Sequence, residues 1–125
     1  MAKKGLRVFL VEDEAMIRMM VADMLEELGH SVAAEAGQLD KATELARSTD
    51  FDVAILDVNL GGKIITPVAE LIASRGLPFI FATGYGAAGV PEELRDRPAL
   101  QKPFEIQALA EALNLIQRGP CVSDA

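Results

Sequence analysis

Little in this sequence offers the usual handles for disulfide, redox or zinc chemistry. There is one cysteine, Cys121, which excludes an intramolecular disulfide and a multi-cysteine metal site. It lies in a polar stretch with Gly119, Pro120, Ser123 and Asp124 and reads as an incidental free thiol rather than a nucleophile. The one histidine, His30, follows Gly29 where a helix should end, so a solvent-facing loop histidine is favoured over a catalytic one. No apolar run approaches the ~18–20 residues that cross a bilayer, and no membrane association is expected. Lys3 and Lys4 precede only the short apolar stretch from Leu6 to Val11, with Arg7 inside it. A signal peptide needs a longer apolar segment, so the chain is expected to be cytoplasmic. Positive charge is also scarce. Twelve basic side chains stand against nineteen acidic ones, a net charge of −7, so the basic footprint of a nucleic-acid binder is missing.

What remains is a chain of 125 residues, half of them apolar, long enough for one domain with a single core. Short apolar runs alternate with amphipathic stretches. Leu6–Val11, Ser31–Ala36, Val53–Leu56, Pro78–Ala82 and Ala99–Gln101 read as strands. Glu14–Leu28 reads as a helix with Ile17, Met20, Val21, Met24 and Leu28 inward, stopped by Gly29. Leu39–Arg47 is helical through Leu39, Ala42, Leu45 and Ala46. A loop with Gly61-Gly62 leads into a helix from Pro67 to Arg75, where Pro67 suits the first turn. Glu105–Gln117 is a helix with Ile106, Leu109, Leu113 and Ile116 inward. From Arg118 to residue 125 a frayed, flexible tail is expected, leaving residues 1–117 as the domain. Unbroken apolar strands alternating with helices predict an α/β fold, a five-stranded parallel doubly wound sheet of flavodoxin-like order 2-1-3-4-5. Three glycines and two prolines between Thr83 and Lys102 predict a short or irregular fourth helix.

Ligands of such sheets bind beyond the carboxyl ends of the strands. The first strand runs into Glu12-Asp13, the third into Asp57, the fourth into Thr83 and the fifth into Lys102-Pro103. Asp13 alone also reads as a helix cap, Thr83 as an ordinary strand terminus and Lys102 as a surface lysine. Together they assemble one site, with Asp57 central. Asp52 precedes the same strand and belongs about 16 Å away at the opposite edge. Two like charges 4 Å apart repel by about 4 kcal/mol at an effective dielectric of 20. Three carboxylates therefore call for a cation beyond Lys102, and Mg²⁺ is the expectation where phosphates are handled. Asp13 and Asp57 would bind it directly and Glu12 through water or a hydrogen bond, with a backbone carbonyl near Asn59 completing the set. A carboxylate so held can attack phosphorus, and Thr83 is placed to donate a hydrogen bond to the product.

The runs Val8-Phe9-Leu10-Val11-Glu12-Asp13-Glu14, Ile55-Leu56-Asp57-Val58-Asn59-Leu60, Phe81-Ala82-Thr83-Gly84 and Gln101-Lys102-Pro103-Phe104 resemble, in this order, the receiver domain of two-component response regulators. The resemblance covers about residues 5–117. It implies a phosphorelay signalling domain, not an enzyme in its own right, with Asp57 as phosphoacceptor, Thr83 and Lys102 assisting, and Mg²⁺ held by Glu12, Asp13, Asp57 and Asn59. It further implies a histidine kinase or His-containing phosphotransfer protein as donor and a downstream protein target. With no output domain expected after residue 117, the signal would leave through another protein. A cis Lys102–Pro103 bond is part of the same resemblance. Phe81-Ala82-Thr83-Gly84-Tyr85 is similar to the FATGUY-type subgroup rich in α-proteobacteria, often with an irregular fourth helix. Most receivers carry an aromatic residue three positions before the lysine, where this chain has Ala99. Tyr85 either takes part in the switch or contacts a partner, or is an exposed loop residue.

The main competing reading is a Mg²⁺-dependent phosphohydrolase that works through an aspartyl phosphate. Such enzymes want an acid two residues after the nucleophile, and Asn59 stands there. A phosphorylation-independent binding module would not need Asp57, Thr83 and Lys102 together. A flavin-binding protein of related topology would need a phosphate cradle where Glu12-Asp13 would repel phosphate.

Overall fold

Three runs of residues that are apolar on both faces form the centre of the computed structural model, which describes residues 5–83, 99–102 and 105–123. They are β1 (Arg7–Val11), β3 (Val53–Asp57) and β6 (Phe79–Thr83), and every residue of the last two is buried. β2 (Ser31–Ala36) and β7 (Ala99–Gln101) flank them. The order β2-β1-β3-β6-β7 is the predicted 2-1-3-4-5 order, and all four pairings are parallel. Such a sheet needs cover on both faces, and alternate residues of one strand therefore feed two cores. Phe9, Val11, Ala54, Leu56, Phe79 and Phe81 pack with α2 (Leu39–Ser48) and α3 (Thr66–Ser74). Val8, Leu10, Val53, Ile55, Ile80 and Ala82 pack with α1 (Ala15–Glu27) and α4 (Ile106–Ser123).

Glycine ends two of these helices for a geometric reason. Gly29 and Gly76 have φ of 91° and 76°, the left-handed region that a side chain disfavours. After α1, Gly29 N–H donates to Glu26 O and His30 N–H to Leu25 O; after α3, Gly76 N–H donates to Ala73 O and Leu77 N–H to Ile72 O. Both are the paired bonds that satisfy the last free carbonyls of a helix. Pro67 sits in the first turn of α3, as expected.

Several expectations need correction. The stretch around Gly61-Gly62 is not a plain loop but a hairpin of β4 (Asn59–Leu60) and β5 (Lys63–Ile64), with φ of 61° and 89° at its two glycines. Two left-handed residues make the tight turn whose twist matches antiparallel strands. Met20 is exposed, and Leu25, which the sequence reading passed over, is buried with Val21. The buried stripe of α1 is centred on those two residues, so Met20 falls outside it. The last helix continues to Ser123, past the expected end at Gln117. His30 is half-buried rather than solvent-facing, because its Nδ1 accepts a 2.9 Å bond from the Leu6 N–H. Burial also holds its pKa below the ordinary value. The irregular fourth helix, Tyr85 and the Lys102–Pro103 bond lie outside the described residues.

Candidate functional site

Strand register brings the site together. Val11 pairs with Leu56, Asp57 with Ala82 and Thr83 with Gln101, so the residues after each strand end at one rim. The Lys102 N–H donates to Thr83 O at 2.8 Å, which carries the alignment one residue further. Among the described residues only three polar or charged ones are buried, Glu12, Asp57 and Thr83, and all three lie at this rim. Burying such groups is costly unless they are paired, so their clustering marks a site rather than an accident of packing. Asp52, at the other end of β3, instead binds Arg7 at 3.1 Å, with Asp50 joining at 2.9 Å.

Lys102 is the hub. Its Nζ donates to Glu12 Oε1 at 2.8 Å and lies 3.3 Å from Asp57 Oδ2. Glu12 Oε2 accepts the Glu14 N–H at 3.1 Å, just before α1. Glu14, not Asp13, stands at the N-cap position of that helix. Asp13 Oδ2 accepts the Gly61 N–H at 3.1 Å, so the β4–β5 hairpin is tied to the rim. Carboxylate oxygens of Glu12, Asp13 and Asp57 all lie within 4.8 Å of one another. Asn59 contributes its backbone N–H to the Asp57 carboxylate, while its Oδ1 accepts the Gly62 N–H at 2.8 Å.

The electrostatics follow from this crowding. Burial first, and repulsion from Glu12 second, push the Asp57 carboxyl up to about 6, although Lys102 and the Asn59 N–H pull the other way. Burial disfavours the Lys102 ammonium, but its bond to Glu12 and the charges of Asp57 and Glu12 outweigh that and hold its pKa above the ordinary value. One ammonium faces three carboxylates. The donor set is all oxygen, the kind that suits a hard divalent cation rather than a soft one. Beside it stands a carboxylate, Asp57, with one oxygen directed at an ammonium.

All the residues expected at the site are therefore found at its rim. Sequence reasoning missed two contributors. The Gly61 amide was legible in principle, since Gly-Gly between two short runs is a hairpin signal. Arg18, in the first turn of α1, donates to the Glu12 carbonyl at 2.7 Å, and no local pattern announces it.

Residues 8–114 match the response regulator receiver domain family. The transcriptional regulatory protein PdtaR of Mycobacterium tuberculosis is 37% identical over 113 residues, a match covering 87% of this chain and 55% of that protein. The chain thus spans about half the length of that relative. The chemotaxis protein CheY of Thermotoga maritima is 28% identical, with 91% of this chain and 99% of that protein covered. Among solved structures, SdrG from Sphingomonas melonis Fr1 superposes with a TM-score of 0.81 at 42% identity, covering 94% of this chain and 99% of that one. A BeF₃-activated conformation of SdrG gives 0.74 at 43% identity, covering 86% and 92%.

Proposed function

This chain belongs to the response regulator receiver domain family, and from that premise we propose that Asp57 accepts a phosphoryl group from a histidine kinase or a His-containing phosphotransfer protein. The carrying observation is the convergence at one rim of the sheet of Glu12, Asp13 and Asp57, with carboxylate oxygens within 4.8 Å of one another, and of Lys102, which is paired with Glu12 and Asp57. In the proposed step an Asp57 carboxylate oxygen forms a bond to phosphorus as the donor's P–N bond breaks, and the freed imidazole takes up a proton. Lys102 holds negative charge on the transferring group, and the Thr83 hydroxyl then donates to a phosphoryl oxygen. The product adds up to about two negative charges to the rim, which biases the surface that a downstream protein reads. Residues 1–117 form the receiver unit in this reading.

The cluster of Glu12, Asp13 and Asp57 oxygens fits Mg²⁺. Asp13 and Asp57 would hold it directly, Glu12 through water or a hydrogen bond, and Asn59 through its carbonyl. Bound there, the ion would supply charge neutralisation for phosphoryl transfer. The existence of a BeF₃-activated conformation in SdrG supports activation at the carboxylate, since BeF₃ on a carboxylate copies a phosphoryl group. Incubation with acetyl phosphate followed by intact mass tests the proposal. We expect one added phosphoryl group that requires Mg²⁺ and is lost in Asp57→Asn. An adduct that persists in that variant refutes Asp57 as the acceptor.

A further inference from the structure

Glu12 is held at every polar atom it has. Its N–H donates to Ala36 O at 3.0 Å, its Oε2 accepts the Glu14 N–H and its Oε1 accepts Lys102. Its carbonyl accepts Arg18 Nη1 at 2.7 Å. The first of these comes from the end of β2, the next two set the carboxylate, and the last fixes the peptide that joins Glu12 to Asp13. That peptide decides where both carboxylates point.

Arg18 reaches the carbonyl because the chain makes room for it. The guanidinium also binds Glu35 through Nε at 3.1 Å, on the outer end of β2. Between the two partners lies Gly37, the residue after β2. A Cβ built there would stand 2.8 Å from Arg18 Nη1 and 3.5 Å from the Glu12 carbonyl oxygen. Gly37 is not in the left-handed region, so its backbone does not demand glycine. What demands glycine is the seat of the guanidinium. The Glu35 pair is half-exposed, and pairs of that kind contribute little to stability. The bond to Glu12 is the one that reaches the rim.

We infer that Arg18, seated against Gly37, is a positioning residue that holds the Glu12–Asp13 peptide, and through Glu12 the Lys102 ammonium, for the phosphoryl acceptance proposed above. The inference rests on that reading of the site. It makes Gly37 and Arg18, nineteen residues apart, parts of one device.

Gly37→Ala offers a clean test, because the added methyl crowds only the far end of a flexible side chain and stays in ordinary contact with the Glu12 carbonyl oxygen. It displaces the guanidinium without removing its charge. Phosphoryl uptake from acetyl phosphate is compared at fixed Mg²⁺ in the native chain, Gly37→Ala, Arg18→Met, the double variant and Glu35→Gln. A small misplacement remote from the reacting atoms can slow chemistry up to about a hundredfold, and a loss of about tenfold or more is expected in each of the first two variants. The double variant should be no slower than Arg18→Met alone, since both changes remove the same contact. Glu35→Gln should stay near the native rate. In the metal-free proteins the amide NMR signals of Glu12, Asp13 and Lys102 should shift alike in Gly37→Ala and Arg18→Met, with urea midpoints showing that both remain folded. Unchanged rates and unchanged amides in Gly37→Ala overturn the inference, as does a double variant slowed by the product of the two single effects. If the native chain takes up no phosphoryl group, the reading of the site fails, while the amide signals still decide whether Arg18 holds Glu12.

Discussion

Asp57→Asn should make the metal-free protein more stable at pH 8. The carboxyl is pushed up from 3.8 to about 6, by burial and then by Glu12, so its ionised form is disfavoured in the folded state. A group whose folded pKa is raised gives stability that is fully present below the unfolded value and is lost as pH rises through the folded one. At roughly 1.4 kcal/mol for each tenfold change in proton affinity, the rise corresponds to about 3 kcal/mol lost between pH 4 and pH 7. An amide cannot ionise and escapes that loss. The variant also leaves Lys102 to Glu12 alone, so about 1–3 kcal/mol is expected, near 4–12 °C in Tm for a domain of this size. The assay is urea unfolding in chelator at pH 8 and at pH 4. The variant should exceed the native chain at pH 8 and match it at pH 4. Equal midpoints at pH 8, or a gap that persists at pH 4, would refute the account of a strained carboxylate. Mg²⁺ should narrow the difference by stabilising the native chain by RT ln(1 + [Mg²⁺]/Kd).

Two further expectations follow from the same hydrogen bonds. The Leu6 N–H needs an unprotonated Nδ1 on His30, whose pKa is held below 6.5 by burial, so the stability His30 contributes is present above that pH and lost as pH falls through its lowered folded value. His30→Gln, which keeps an acceptor, should flatten the urea midpoint over that range; an unchanged profile would contradict the requirement for the neutral ring. Lys102→Met leaves buried Glu12 and Asp57 facing each other without their cation, and a loss of about 3–5 kcal/mol is expected in chelator at pH 8. Equal urea midpoints for that variant and the native chain would show that the ammonium does not neutralise the pair.

The central strands and the rim were legible because each rests on a local pattern. β3 and β6 are unbroken apolar runs, and Asp57 and Thr83 close them, so their placement needed only the strand-end rule. Strand register was not needed to find Lys102, because it directly follows the last short strand. The features that escaped depend on contacts distant in sequence or on margins. Arg18 meets Glu12 and Gly37 through space, and no periodicity encodes that meeting. His30 looked exposed because its partner, the Leu6 N–H, comes from the start of the chain. Met20 sits at the edge of a stripe whose centre could not be fixed until Leu25 was seen buried. The two-residue strands of the hairpin are too short to show alternation at all.

β3 is paired on both sides over 54–56 and buried along all five of its residues. Amides in such a position exchange with solvent only when the whole molecule opens, so Asp57 stands at the end of the slowest thread to come undone. In the proposed reading, a phosphoryl group placed there would not be read by loosening its own strand. It would be read through the side chains that meet it at the rim, Lys102 and Glu12 among them, while the strand that carries it stays rigid.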